Sequence, residues 1–216
     1  MVEKVIYSYY DNKRIKNIMN KCDVISFDLF DTLVKRKCFS ADKIFEELGK
    51  YVFDTYRIEG FKKIRIDTEK QVRKFHNEVT IFDIYESMII PETAKEDILK
   101  KEIEIELENI EIKESGFRLY LEAIGLGKII VITTDMYLPR NVIEDILNSC
   151  NYINYSRLFL SSEIGKRKRT GDLYRYLRQT FDDSTIIMHI GDSFYSDYVK
   201  AIFNRINYAV LVKKYE

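Results

Sequence analysis

Short apolar runs alternate with amphipathic segments along much of the chain. The apolar runs are continuous, as in strands that are buried on both faces of a parallel sheet. They are VISF (24–27), KIIVITT (128–134), RLFLSS (157–162), STIIMHI (184–190) and YAVLV (208–212). Between them, the spacing of apolar residues predicts helices over 139–149, 170–180 and 196–204. This alternation predicts an α/β fold with a mainly parallel sheet.

The gap between the first two predicted strands, roughly residues 37–115, is much longer than one crossover helix requires. Apolar spacing predicts helices at 41–56 and 68–79 within it. The stretch KEIEIELENIEI (101–112) alternates as a strand would, yet it also fits helical spacing, and its Lys and Glu content favours a helix. We therefore expect a helical cap subdomain at 39–114, inserted into a core formed by 1–38 and 115–216.

Composition excludes several classes of protein. The 216 residues carry a net charge of +0, so no overall field favours nucleic acid or an anionic membrane. No apolar run approaches the roughly 20 residues that a membrane span needs, and the N-terminus lacks the apolar core of a signal peptide. Cys22, Cys38 and Cys150 form no C-x-x-C pair, which is typical of free thiols in a reducing compartment. We expect a cytoplasmic protein without a nucleic-acid partner; the oligomeric state is not indicated.

Three of the predicted strands end in polar residues. Asp28 follows the first, Thr134 ends the second and Asp192 follows the fourth. In an open parallel sheet, ligands bind outside the carboxyl ends of the strands. Each residue alone could equally cap the next helix, but three at equivalent ends favour a binding site.

A second carboxylate, Asp197, lies five residues after Asp192. Two carboxylates, completed by water and a substrate phosphate, suit Mg²⁺, which seldom has a cage built only of protein ligands. The alternative is that Asp197 stabilises the N-terminus of its helix.

These residues resemble the four motifs of the haloacid dehalogenase (HAD) superfamily. The similar stretches are FDLFDTLV (27–34), TTDMYLP (133–139), KRTGDLY (168–174) and GDSFYSD (191–197). The residues in these motifs are similar to those of a bacterial subgroup of the superfamily, some members of which are joined to glycosyltransferases. The resemblance implies a Rossmann-like three-layer sandwich with an inserted helical cap, acting on a small phosphorylated substrate, sugar-linked or not.

The resemblance also implies roles for catalytic residues. Asp28 matches the nucleophile that takes the phosphoryl group, and Thr134 matches the hydroxyl that binds this group. Lys168 matches the lysine that offsets their charge. It fits better than Lys166, because an aliphatic and an aromatic residue follow it at the family's spacing. The alternative interpretations of KRKR (166–169) are a solvated basic loop or a weak nucleic-acid patch.

The metal implied by the resemblance is Mg²⁺. Its ligands would be Asp28, the backbone carbonyl of Phe30, Asp192 and Asp197. In phosphatases of the family the residue at position 30 is a second aspartate, the general acid and base. Phe30 can neither give nor take a proton, and Asp31 is out of register, so we interpret Asp31 as a turn residue.

Three functions follow from this pattern. The leading hypothesis is a Mg²⁺-dependent hydrolase or phosphotransferase that forms an aspartyl-phosphate at Asp28 and releases a good leaving group, such as a diphosphate or the carboxylate of an acyl phosphate. The second is a degenerate domain that binds a phosphorylated ligand or partner. The third is a Mg²⁺-independent dehalogenase, because dehalogenases have an aromatic residue where Phe30 stands.

Four other residues have simpler interpretations. His189 lies in an apolar run and is predicted to be a core residue, and His76 is expected to be exposed or packed within the insertion. Arg36 is predicted to be a surface charge, with contact to a substrate anion as the alternative. Arg205 stands where the family usually has glycine, so the turn before the last strand is expected to differ.

Overall fold

The computed structural model describes residues 6–7, 12–38 and 40–213. Eight strands, numbered in chain order, are present in these residues. They are β1 (Ile6–Tyr7), β2 (Val24–Phe27), β3 (Val34–Arg36), β4 (Ile110–Ile112), β5 (Ile129–Thr134), β6 (Arg157–Leu160), β7 (Ile187–Gly191) and β8 (Tyr208–Leu211). Six of them form one sheet in the order β1-β8-β7-β2-β5-β6, in which every neighbouring pair is parallel.

The helices are α1 (Asn12–Lys21), α2 (Ala41–Tyr56), α3 (Phe61–Phe75), α4 (Ile81–Glu86), α5 (Glu92–Glu108), α6 (Glu114–Gly125), α7 (Arg140–Ser149), α8 (Ser161–Ile164), α9 (Asp172–Gln179) and α10 (Lys200–Phe203). A π-helix over Phe194–Val199 leads directly into α10. None of the helices in the described ranges is long and apolar enough to cross a membrane.

Both faces of the large sheet are covered by helices. Successive residues of a strand point to opposite faces, so Ile25 and Phe27 join one buried cluster and Val24 joins another. The first cluster contains apolar residues of α1, α6 and α7, and the second contains those of α9 and α10. The chain is therefore a three-layer α/β sandwich, and the predicted fold class is confirmed.

Helices α2 to α5, of 16, 15, 6 and 17 residues, fill most of the long gap between β2 and β5. They leave and return through the antiparallel pair β3 and β4, in which Arg36 lies opposite Ile110. Their buried residues join the same cluster as one face of the sheet. The gap is thus mainly helical, whereas its division from the core at residues 39 and 114 stays a prediction.

Several predicted boundaries within the gap were wrong. Residues 110–112 are a strand, because α5 ends at Glu108 and β3 supplies the hydrogen-bonding partner. The helix predicted at 68–79 spans 61–75, and His76 is extended. A new helix then begins with a capping box in which Thr80 and Asp83 bond to each other's backbone N–H.

Boundaries in the core also differ from prediction, and the strand predicted at 184–190 spans 187–191. Ser161 and Ser162 begin α8 rather than extending β6, and residues 194–199 are a π-helix. Before β8, Arg205 takes the left-handed conformation itself, with φ of 65°. The turn that glycine usually makes is therefore retained, at some conformational cost to arginine.

Candidate active site

A cleft of about 210 Å³ lies at the carboxyl edge of the sheet, where β2, β5 and β7 end side by side. This is the edge at which ligands bind in open α/β sheets. The cleft is lined by Asp28, Phe30, Arg36, Thr134, Asp135, Met136, Lys168, Asp192, Ser193, Ser196 and Asp197. All of the site residues predicted from the sequence are therefore brought together.

Asp28 follows the central strand and is 6% exposed. Its backbone N–H donates to the carbonyl of Ile190 on β7, which extends the ladder by one residue. The hydroxyl of Thr32 donates to Oδ2 of Asp28 at 3.1 Å. Between them the chain turns tightly, and Asp31 is left-handed with φ of 59°, a conformation that aspartate tolerates better than most residues. The turn fixes the carboxylate at the floor of the cleft.

Lys168 is buried and joins two of the carboxylates. Its ammonium donates to Oδ1 of Asp28 at 2.5 Å and to Oδ1 of Asp197 at 2.7 Å. The loop that carries it is held by Asp135, which accepts from the backbone N–H groups of Lys168 and Arg169. Lys166 lines a separate surface groove instead. The lysine that reaches Asp28 is therefore Lys168.

Four groups lie within hydrogen-bond distance of the Asp197 carboxylate. Besides Lys168, Oδ1 accepts from the Tyr174 hydroxyl at 3.2 Å and lies 3.2 Å from Nε2 of His189. The backbone N–H of Ser193 donates to Oδ2 at 2.9 Å. The side chain lies against Gly191, where a Cβ would fall 2.3 Å from Cγ of Asp197. Only glycine leaves room for this carboxylate.

A chain of polar side chains continues from Asp197 into the sheet. Nδ1 of His189 lies 2.9 Å from the hydroxyl of Ser26, which lies 2.8 Å from the hydroxyl of Thr133. All three residues are fully buried. His189 is thus a core residue as predicted, but it also orients Asp197. Burial lowers the pKa of its imidazole.

One oxygen of each of Asp28, Asp192 and Asp197 lies within 4.8 Å of the other two. The ammonium of Lys168 contacts two of these three carboxylates, Asp28 and Asp197. Burial and the two neighbouring carboxylates together raise the pKa of Asp28 to about 8, against the effect of Lys168. Hard, crowded oxygen donors of this kind fit Mg²⁺.

For Asp197 and Lys168, neighbouring charges outweigh the effect of burial on the pKa. Burial alone would raise the pKa of Asp197, but Lys168 and His189 hold it below its usual value. Burial alone would lower the pKa of Lys168, but Asp197 and Asp28 raise it. Lys168 therefore stays protonated, and of Asp28 and Asp197 it is Asp28 that takes up a proton first.

The remaining predicted residues differ in how they contribute to the cleft. Thr134, the last residue of β5, is 2% exposed and faces the cleft. Phe30 is half-buried and also lines the cleft. Asp31 is absent from the described lining, and its backbone carbonyl accepts from Lys113 at 2.7 Å. Arg36 lines the cleft, so the prediction that it is a surface charge was wrong.

Sequence reasoning missed three residues that support the site: Asp135, Tyr174 and the orienting contact of His189. Signals for two of them were present. Asp135 directly follows Thr134 at a strand end, and Tyr174 lies six residues after Lys168, where the family has an aromatic residue. For His189, an apolar run gave no indication of a polar partner. His76 is exposed, within the predicted alternatives.

The sequence matches no protein-family model, and no curated protein matches it. Solved structures, in contrast, share its fold. YfnB of Bacillus subtilis, described as a HAD-hydrolase bound to magnesium, matches with a TM-score of 0.61 at 13% identity, over 88% of each chain. A 2-haloacid dehalogenase from Pseudomonas syringae matches with a TM-score of 0.58 at 15% identity, over 87% of this chain and 85% of that one.

A HAD family enzyme from Bacteroides thetaiotaomicron matches with a TM-score of 0.60 at 12% identity, over 90% of this chain and 95% of that one. An aspartate-to-alanine mutant of it, in complex with magnesium and inorganic phosphate, matches with a TM-score of 0.56. The resemblance to the bacterial subgroup joined to glycosyltransferases stays a prediction. The chain has the fold of the HAD-like hydrolases.

Proposed function

We propose that the protein is a Mg²⁺-dependent hydrolase or phosphotransferase that acts through an aspartyl-phosphate at Asp28. The single observation that carries this proposal is the contact of the Lys168 ammonium with both Asp28 and Asp197, beside a third carboxylate. The likeness to structures that hold magnesium, in one case together with phosphate, supports it. The substrate is a small phosphorylated molecule with a good leaving group.

Asp28, Asp192, Asp197 and the backbone carbonyl of Phe30 would hold the metal. Bound Mg²⁺ would neutralise charge on the phosphoryl oxygens. Lys168 would offset the charge shared by Asp28 and the phosphoryl group, and the hydroxyl of Thr134 would donate to a phosphoryl oxygen. Asp135, Tyr174 and His189 act on the substrate only through the residues that they orient.

In the first chemical step a carboxylate oxygen of Asp28 forms a bond to phosphorus. The bond from phosphorus to the leaving oxygen breaks, and that oxygen keeps the electron pair. Phe30 stands where phosphatases have their general acid, so no proton is supplied from that position. Since general acid catalysis contributes about 10²–10⁴-fold, an oxygen that departs readily as an anion is favoured.

The second step transfers the phosphoryl group from Asp28 to water or another acceptor. Phe30 cannot act as the base that activates this acceptor either. The aspartyl-phosphate should therefore be longer-lived than in an enzyme with aspartate at this position.

We further propose that residues 39–114 are a cap on a core of residues 1–38 and 115–216. Buried residues of the helices in this segment belong to the same apolar cluster as Phe27, and α5 contacts α7. The backbone N–H of Ile81 donates to the carbonyl of Tyr137 in the loop after β5. Glu78 of this segment lies 3.5 Å from Arg167, next to Lys168. These contacts support a role for the segment in closing the site and selecting the substrate.

The test is turnover of acetyl phosphate with Mg²⁺ and with EDTA, in the wild type and in Asp28→Asn. We expect turnover that needs both the metal and Asp28. Asp31→Asn serves as the matched control, because it changes a neighbouring carboxylate outside the cleft. Mg²⁺-dependent binding of phosphate without turnover would favour the degenerate domain, and metal-independent release of halide from a 2-haloacid would favour a dehalogenase.

A further inference from the structure

Arg36 enters the active-site cleft from β3, where the chain leaves the core for the inserted helices. Its side chain is 13% exposed and lines the cleft together with Asp28, Phe30 and Lys168. The proposed mechanism gives Arg36 no role. A partly buried arginine beside a phosphoryl-transfer site therefore needs a separate explanation.

Two contacts hold the guanidinium in one orientation. Its Nε donates to Oε1 of Glu106 at 2.7 Å, and Glu106 is 2% exposed. Its central carbon lies 4.5 Å from the centre of the Phe30 ring. A charge-assisted hydrogen bond and a cation–π contact both restrict a side chain that is otherwise flexible. The guanidinium is thus pre-organised before any ligand binds.

The terminal nitrogens of Arg36 remain available to a ligand. A guanidinium has five N–H donors, and the bond to Glu106 uses the one on Nε. Within the described part of the chain, neither Nη1 nor Nη2 of Arg36 has a hydrogen-bond acceptor. Two parallel N–H groups are the geometry that binds a carboxylate or a phosphate through two oxygens.

The position of these donors relates to the missing general acid. By the resemblance described above, Phe30, whose ring Arg36 contacts, stands at the position from which phosphatases of the family protonate the leaving oxygen. A fixed positive charge beside that place can stabilise negative charge on the leaving group without a proton transfer. Lys168 already donates to Asp28 and Asp197, so it stabilises charge on the nucleophile and not on the leaving group.

We propose that Arg36 binds the anionic leaving group of the substrate, a carboxylate or a phosphate, through its two terminal nitrogens. This inference rests on the proposed function and names the residue that selects its leaving group. As the oxygen–phosphorus bond breaks, the electron pair passes to an oxygen that Arg36 already contacts. Glu106 is a positioning residue that acts through Arg36.

The size of the cleft agrees with a compact leaving group. Its volume of about 210 Å³ lies below the roughly 300–1,000 Å³ of pockets that hold drug-sized ligands. A transferred phosphoryl group with a second small anion, as in an acyl phosphate or a diphosphate, suits this space.

The test compares kcat/KM for acetyl phosphate, inorganic diphosphate and p-nitrophenyl phosphate in Arg36→Met. The first two release a carboxylate and a phosphate, whereas the third releases a phenolate with a single oxygen. We expect a loss of about 10–100-fold for at least one of the first two, and less than about 5-fold for the third. The matched control is Lys35→Met, which removes the neighbouring charge on β3 and should preserve the substrate preference.

Arg36→Met leaves Glu106 buried without its partner and could therefore misfold. Two further variants distinguish misfolding from loss of the contact with the leaving group. Arg36→Lys keeps a charge for Glu106 but loses the planar fork. Arg36→Met/Glu106→Gln removes the charge from both partners. Both should show the same selective loss as Arg36→Met. Loss with acetyl phosphate alone would assign a carboxylate, and loss with diphosphate alone would assign a phosphate.

Equal losses on all three substrates, or no loss, would overturn the role of Arg36 while leaving the proposed function intact. A wild type that turns over none of them would instead refute the proposed function. In that case calorimetry on Asp28→Asn still tests Arg36. Adding Arg36→Met should weaken diphosphate binding about 10–100-fold and change orthophosphate binding little; parallel weakening of both would overturn the inference.

Discussion

Gly191→Ala should dislodge Asp197 and thereby disrupt the site without changing any of its charged residues. The new Cβ would lie 2.3 Å from Cγ and 2.5 Å from Oδ2 of Asp197, far inside van der Waals contact. Asp197 is 1% exposed, and β7 lies between β2 and β8, so neither side can move freely. Either the carboxylate or the strand must shift.

The expected cost depends on whether the strand or the carboxylate shifts. If the strand shifts around a rigid, overpacked site, the cost is about 1–3 kcal/mol. If Asp197 is displaced instead, its buried ion pair with Lys168 is weakened, and breaking such a pair costs about 3–5 kcal/mol, so the two ranges meet at about 3 kcal/mol. We expect the free energy of unfolding to fall by about 3 kcal/mol, which lowers the melting temperature by roughly 6–12 °C for a chain of this size.

The assay is urea unfolding with Mg²⁺ and with EDTA. Mg²⁺ at 100 times its dissociation constant should stabilise the wild type by about 2.7 kcal/mol, and Gly191→Ala should lose most of that gain. Gly125→Ala is the matched control, since nothing lies within 4 Å of its new Cβ and alanine is the better helix former by about 0.5–1 kcal/mol. A Gly191→Ala protein with wild-type stability and a wild-type response to Mg²⁺ would refute the close packing of Asp197.

Two further predictions concern protons at the site. Phe30→Asp should restore an acid near the leaving oxygen and raise kcat/KM for an alkyl phosphate at least ~10-fold, with a much smaller gain for acetyl phosphate; Asp31→Asn should stay within a few-fold of wild type for both. If Asp28 binds Mg²⁺ as proposed, the metal must displace the proton of this carboxyl, whose pKa is raised to about 8, and Mg²⁺ affinity should fall by up to about 10-fold per pH unit below that value.

Each of these two predictions has a result that contradicts it. A large loss in Asp31→Asn, without a gain in Phe30→Asp, would mean that the wrong carboxylate was assigned. For the pH dependence, titration calorimetry should show Mg²⁺ affinity decreasing from about pH 8 to about pH 6, with a weaker slope in Asp28→Asn. A flat profile would show that Asp28 does not bind the metal or is not protonated in the free site.

The framework of the site could be predicted because it depends on local sequence. Asp28, Thr134 and Asp192 stand at the ends of apolar runs, and a parallel sheet brings such ends to one edge. The strand at 24–27 was predicted to the residue, and all four of its residues are buried. The resemblance to the family's motif, with Leu173 and Tyr174 at the expected positions, was also enough to choose Lys168 over Lys166.

The rest depends on contacts between residues that are distant in sequence. Arg36 and Glu106 are 70 positions apart, so the sequence could not distinguish a surface charge from one held in the cleft. The strand at 110–112 forms because β3 supplies a partner, although its own Lys- and Glu-rich surroundings favour a helix. The bond between His189 and Asp197 requires a strand and the following π-helix to meet, which no apolar pattern indicates.

The most direct test is to identify the residue that carries the phosphoryl group during turnover. The protein would be mixed with acetyl phosphate and Mg²⁺, quenched in acid and mapped by peptide mass spectrometry. Because Phe30 provides no base for the second step, one phosphoryl group should accumulate on the peptide that contains Asp28, and it should be absent from Asp28→Asn and from EDTA-treated protein. A phosphoryl group on another residue, or one that persists in Asp28→Asn, would contradict an aspartyl-phosphate mechanism at Asp28.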